Sequence, residues 1–135
     1  MKVLYTGFDG VNNPSNVILK EINNNKIIFK NTYKEITKIL LNKEIEQYDL
    51  IVMLGLRTNL KKSIRIEEKA YLDNELIETR VDCIKLKEYF IKNDTSCIIN
   101  NKPTNYLCNY AYYKVFKKIK ILYLFIFLNL KISKN

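Results

Sequence analysis

A chain of 135 residues, 47% hydrophobic and 27% charged, can bury the core of one domain and is short for two. It contains no histidine, which removes the usual general base near neutral pH, the commonest metal ligand and the usual partner of a nucleophilic Ser or Cys. The net charge of +9 invites a nucleic-acid reading. The excess sits mostly after Asp94, in an acid-free stretch with Lys102, Lys114, Lys117, Lys118, Lys120, Lys131 and Lys134. A lysine-dotted tail with scarce arginine is not a face built to meet phosphates and bases.

Short apolar runs alternate with amphipathic stretches along the chain. Lys2–Thr6 reads as a strand ended by Gly7. Asn13-Pro14 reads as an N-cap with Pro at the first helical position, followed by Val17, Ile18 and Ile22 at helical spacing. Lys26–Phe29 is a second strand. Thr32 and Glu35 form a capping box before the stripe Ile36, Ile39 and Leu40. Asp49–Leu54, closed by Gly55, is the near-continuous apolar run of a strand covered on both faces.

Ile64–Tyr71 and Glu75–Val81 read as two strands joined by a turn at Asp73-Asn74. Asp82 caps a helix running to Lys92. Cys97–Ile99 is a strand, and Asn100–Asn105 with Pro103 is a loop. Thr104 or Asn105 starts a helix to about Lys118, and Ile121–Leu128 is a final apolar strand. Left uncovered, that β-prone run is an aggregation hazard. Lys120, Asn129 and Lys131 interrupt it, so it falls short of the ~20 apolar residues of a spanning helix. The alternation predicts an α/β fold: three layers, helices on both faces of a mainly parallel mixed sheet.

Cys83, Cys97 and Cys108 show neither a paired spacing nor a C-x-x-C, so free thiols in a reducing cytoplasm are expected. The N-terminus has a strand pattern and not that of a signal peptide. Cys108 falls about one turn into its predicted helix, where unpaired amides and the helix dipole favour a thiolate. Equally, a free Cys among Tyr106, Leu107 and Tyr110 is a small buried hydrophobe. Of Glu67 and Glu68, one points inward if the other points outward. An inward carboxylate can orient an imidazole or act as a base; the alternative is a solvated pair beside Arg65 and Lys69. Thr6-Gly7-Phe8 lies where ligands gather in α/β sheets, without the glycine pattern of a nucleotide site.

Four blocks then combine. They are Lys2-Val3-Leu4-Tyr5-Thr6-Gly7-Phe8 with Asn13-Pro14-Ser15; Asp49–Gly55; Ile64-Arg65-Ile66-Glu67-Glu68-Lys69-Ala70; and Asn101 with Tyr106-Leu107-Cys108-Asn109 and Tyr113. In order and spacing they resemble the pyroglutamyl peptidase type I (pyrrolidone-carboxylate peptidase) family, over residues 1–118. The resemblance implies a cytosolic thiol protease that removes N-terminal pyroglutamate from peptides, on a three-layer α/β/α fold, as a homo-oligomer without metal or cofactor. It implies a Cys-His-Glu triad, with Cys108 as nucleophile and Glu67 as the acidic member. Glu68, which falls where the family has arginine, is the fallback. Phe8 matches an aromatic lining the pyrrolidone pocket.

The chain also departs from the family. Asp9–Asn12 shortens the opening turn, Pro103-Thr104 replace Ala-Gly, and Lys61, with Arg57 nearby, stands for an arginine. The histidine of a G-F-I-H-like segment is missing from Ile121–Leu128, and the family's last helix is absent. The expectation is a member altered or truncated at the C-terminus, by a frameshift or early stop, with residues 119–135 as a basic apolar tail. Hydrolysis would be absent or very weak. The other readings are a binding protein that kept the fold without the chemistry, and a basic nucleic-acid or membrane-surface protein resting on the tail alone. The family reading itself involves neither nucleic acid nor membrane.

Overall fold

The computed structural model describes residues 1–10, 14–22, 25–40, 47–56, 63–102, 110–114 and 122–128. In chain order the elements are β1 (Val3–Phe8), α1 (Pro14–Glu21), β2 (Lys26–Phe29), α2 (Tyr33–Leu40), β3 (Leu50–Leu56), β4 (Ser63–Glu67), β5 (Lys69–Leu72), β6 (Glu75–Glu78), α3 (Cys83–Lys92), β7 (Ser96–Asn100) and β8 (Leu122–Leu128). Residues 110–114 are helical.

Six strands form one sheet in the order β2-β1-β3-β8-β4-β7, and β5 with β6 make a separate hairpin. Strands β2, β1, β3 and β8 run parallel. Strand β4 is antiparallel to β8 and parallel to β7. This is the mainly parallel mixed sheet that the alternation predicts.

The period of two in the strands divides the core into two clusters. Leu4, Phe8, Ile51 and Met53 face one side with Ile36 of α2, Ala111 and Tyr112. Val52, Leu54, Ile64, Ile66, Cys97 and Ile99 face the other, where Ile18 of α1 and Leu86 and Phe90 of α3 pack. Strand β3 therefore feeds both cores, as its unbroken apolar run requires. Helices cover both faces: α1 and α3 on one, α2 and residues 110–114 on the other.

Local chemistry fixes most boundaries. The Thr32 Oγ1 accepts from the Glu35 amide at 3.2 Å, which is half of the expected capping box. The other half does not form, because the Thr32 amide donates to the Lys30 carbonyl at 2.8 Å instead. Asp82 caps α3 as expected, its Oδ1 accepting from the Lys85 amide at 3.1 Å. Asp73 and Asn74 take φ of 52° and 61°, the paired left-handed geometry of a two-residue hairpin turn, which these residue types tolerate well.

Two expectations need correction. Strand β1 does not end at Gly7 but runs through Phe8, since β2 pairs along it to the Phe8–Phe29 register. The single strand expected over residues 64–71 breaks at Glu68. Its first part stays in the sheet and the rest leaves as the hairpin, because Glu68 turns its amide to the Asn100 carbonyl and its carbonyl to the Thr79 amide. The apolar run near the C-terminus is a strand within the sheet: β8 lies between β3 and β4, and Ile126 is buried. Asn13 and most of the helix expected from Thr104 or Asn105 to Lys118 lie outside the described residues.

The Asp82 cap gives a first test. Asp82→Ala removes the acceptor for an otherwise unpaired helix amide and should cost about 1 kcal/mol in urea unfolding. A change under about 0.3 kcal/mol would show that the cap does not hold α3.

Candidate active site

Register places one transverse row across the sheet. Thr6 pairs with Met53, Met53 with Phe125, Phe125 with Glu67, and Glu67 with Asn100. Glu67 ends β4 and is buried, at 3% exposure. It is therefore not half of a solvated pair. Its Oε1 accepts from the Arg65 Nε at 2.6 Å and lies 2.5 Å from the Arg65 Nη2. Its Oε2 accepts from the Asn100 Nδ2 at 2.7 Å. Arg65 and Glu67 are two residues apart on one strand, so they share a face, and each offsets the other's desolvation.

The helical segment 110–114 is held over this face by three phenols. The Tyr112 Oη donates to the Glu67 carbonyl at 3.1 Å. The Tyr113 Oη donates to the Glu75 Oε2 of the hairpin at 2.9 Å. The Tyr110 hydroxyl is 2.8 Å from the Thr37 Oγ1 of α2, and its ring stands edge-on to Tyr33 at 4.7 Å. Burial pushes the Tyr112 hydroxyl far above the usual phenol range, so it stays a donor at every ordinary pH. The segment that follows Cys108 in sequence is thus tied to α2, β4 and the hairpin at once.

Phe8 lies at the carboxyl end of β1, buried against Phe29 with ring centroids 5.7 Å apart. The order β2-β1-β3 sends the chain from β1 first to one side and then to the other, the switch point beside which α/β sheets bind ligands. Phe8 is three strands from β4, about 14 Å at ordinary strand spacing. Phe8 and Glu67 border the same face and do not touch.

Glu68 belongs to a different neighbourhood. Burial, then the hydrogen bond and charge of Glu78, push its carboxyl above the usual range, with Lys69 opposing. The two candidate acids are therefore separated: Glu67 lies in the Arg65–Asn100 cluster and Glu68 faces Glu78. Cys108, Arg57 and Lys61 lie outside the described residues.

Cys83 and Cys97 are buried free thiols. Burial, with Glu68 and Asp82 adding repulsion, pushes the Cys83 thiol up to about 11. Burial also raises Cys97, against the pull of Lys87. Both are the wrong environment for a nucleophile. Among the described residues no group of three or more His, Cys, Asp or Glu side chains could hold a metal, and no helix is long and apolar enough to cross a membrane.

Sequence reading missed Arg65, Asn100 and Tyr112 as partners of Glu67. The period of two in β4 was a sufficient signal for Arg65. Asn100 and Tyr112 depend on strand register and on the docking of a distant helix, which no local pattern encodes.

No protein-family model matches the chain, and no curated protein matches its sequence. Solved structures do match. The pyrrolidone carboxyl peptidase of Fervidobacterium islandicum is similar with a TM-score of 0.81 and 22% identity, over 95% of this chain and 80% of that one. The pyrrolidone carboxyl peptidase of Thermococcus litoralis matches at 0.79 and 21%, over 94% and 76%. The pyroglutamyl peptidase I of Bacillus amyloliquefaciens matches at 0.81 and 18%, over 94% and 79%. At these identities the likeness is one of fold, and it is the fold that the four sequence blocks resemble.

The thiol environments give a second test. At pH 8 in the native Cys108→Ser variant, Cys83 and Cys97 should resist a thiol-reactive dye, and both should react once the chain is unfolded. A fast-reacting native thiol in that variant would contradict the burial described.

Proposed function

We propose that this chain is a pyroglutamyl-peptidase-type protein whose site takes peptides with an N-terminal pyroglutamate and whose hydrolytic power is reduced to a trace. Cys108 is the thiol that would attack the pyroglutamyl carbonyl. Glu67 is the acidic member, and Phe8 contributes to an apolar pocket suited to a neutral lactam. The observation that supports this reading best is the Tyr112–Glu67 hydrogen bond. Tyr112 follows Cys108 by four residues, one turn on the helix that the sequence predicts. The buried acid and the thiol-bearing segment are therefore drawn toward the same place.

The chemistry requires a proton relay between them. A thiol near its ordinary pKa is a poor nucleophile until a base removes its proton, and the leaving amine must receive a proton when the acyl–thiol bond forms. Imidazole does both, and the chain has none. Arg65 occupies one carboxylate oxygen of Glu67 and Asn100 the other. Arginine cannot relay that proton, because it stays charged at any working pH. In the G-F-I-H-like segment the histidine position corresponds to Phe127, whose register partner is Arg65. The guanidinium thus stands on the strand beside the position an imidazole would use.

The full chain should release a chromophore from a pyroglutamyl anilide at a rate roughly 10⁶-fold below that of a complete triad, the loss typical of a missing triad histidine. Cys108→Ala should abolish what remains, and Phe127→His should raise it. Efficient turnover by the unaltered chain would overturn the reduced-activity part of the proposal. Residual turnover that persists in Cys108→Ala would overturn the assignment of the thiol.

A further inference from the structure

Where the helical segment 110–114 meets α2, an aromatic pair stands that the proposed chemistry does not use. Tyr33 is the first residue of α2 and is 56% exposed. One hydroxyl holds it to its neighbour. The Thr37 Oγ1 donates to the Tyr33 carbonyl at 2.8 Å and lies 2.8 Å from the Tyr110 hydroxyl. The Thr37 proton is therefore committed, and the Tyr110 phenol is the donor to Thr37. The two rings meet edge to face, with centroids 4.7 Å apart and an interplanar angle of 83°. Tyr110 also carries the Lys114 ammonium at 5.5 Å, so the ring most open to solvent is that of Tyr33. A pair set in place before any ligand arrives loses little rotamer freedom on binding.

The pair stands at the rim of the apolar surface that begins at Phe8. Asp9 follows Phe8. Its amide donates to the Phe29 carbonyl at 2.9 Å, and its carbonyl accepts from the Asn31 Nδ2 at 2.8 Å. The start of α2 is thus tied to the residue just beyond Phe8. Phe8, Phe29 and Ile36 lie buried in one cluster, and Tyr110 packs against it. Apolar surface therefore runs from the covered Phe8 ring out to the open Tyr33 ring. Lys30, Asn31, Thr32 and Lys34 around Tyr33 are polar and exposed, so at this end of α2 an apolar ligand group would meet Tyr33.

We propose that the Tyr33–Tyr110 pair receives the side chain of the residue that follows pyroglutamate, and that the site favours peptides with an aromatic residue at this second position. The inference rests on the peptidase reading and deepens it by naming a substrate class. Consecutive Cα atoms are about 3.8 Å apart. A lactam ring seated at Phe8 therefore leaves the next residue at the rim where Tyr33 stands. An aromatic side chain there gains an edge-to-face or offset-stacked contact, which favours it about fivefold over a side chain without a ring. Tyr33 is the specificity-determining residue, and Tyr110 and Thr37 position its ring.

The test is calorimetric titration of the full chain with the amides of pyroglutamyl-phenylalanine and pyroglutamyl-alanine. The unaltered chain should bind the phenylalanine peptide about fivefold more tightly than the alanine peptide. Tyr33→Ala should erase that preference by weakening the phenylalanine peptide alone. Tyr33→Phe should retain it, because the ring and not the hydroxyl makes the contact. Equal affinity of the unaltered chain for the two peptides, or an equal loss for both in Tyr33→Ala, would overturn the aromatic platform and leave the pyroglutamate reading standing. Binding of neither peptide would overturn both.

Discussion

A carboxylate taken out of water must be neutralised where it stands, at a cost of several kcal/mol if it is not. Glu67 meets that demand with Arg65 on its own strand and Asn100 on the next. Its carbonyl meanwhile receives Tyr112. One residue thus joins β4, β7 and the helical segment 110–114. The strand break at Glu68 follows directly. Once Glu67 is turned inward, its neighbour faces the other way, and its backbone bonds lead the chain out into the hairpin. Tyr113 then ties that hairpin back to the same helical segment. Much of the site's scaffold is organised by where this one buried charge is satisfied.

The fold was largely legible in the sequence because its signals are local. The short apolar run Ile27–Phe29 marked β2, the run ending at Gly55 marked β3, Asp82 marked the start of α3, and Asp73-Asn74 marked the hairpin turn. Strand order was not legible. Nothing in Ile121–Leu128 says that the last strand inserts between β3 and β4, since that placement is decided by which edges remain unpaired once the other strands have docked. The same limit applies to the site. Glu67 could be singled out as one of two alternating acids, and burial selected it only through contacts between distant segments. Arg65, two residues away on the same strand, figures in the sequence only as a neighbour of the acidic pair, and its ion pair with Glu67 depends on the burial of that strand.

The absence of histidine takes on a more specific meaning beside this geometry. A triad acid normally holds an imidazole by one oxygen and is held in turn by its surroundings. Here both oxygens of Glu67 are engaged, by a guanidinium and an amide, so the acid is stable without the missing group. Under the proposed reading, such a site would keep its architecture without the means of proton transfer. Of the lysines after Asp94, Lys102 meets Asn100 through its backbone alone, and the Lys114 ammonium sits over the Tyr110 ring at 5.5 Å. The charge of the chain is therefore poor guidance to its chemistry.

The most direct test of this account is a double-mutant cycle on the buried pair, read as unfolding free energy in urea. Arg65→Met and Glu67→Gln should each cost about 3 kcal/mol by stranding the other group. The double variant should cost clearly less than the sum, with a coupling of about 1.5 kcal/mol or more. Additivity to within about 0.5 kcal/mol would contradict the claim that these two side chains hold each other in the core.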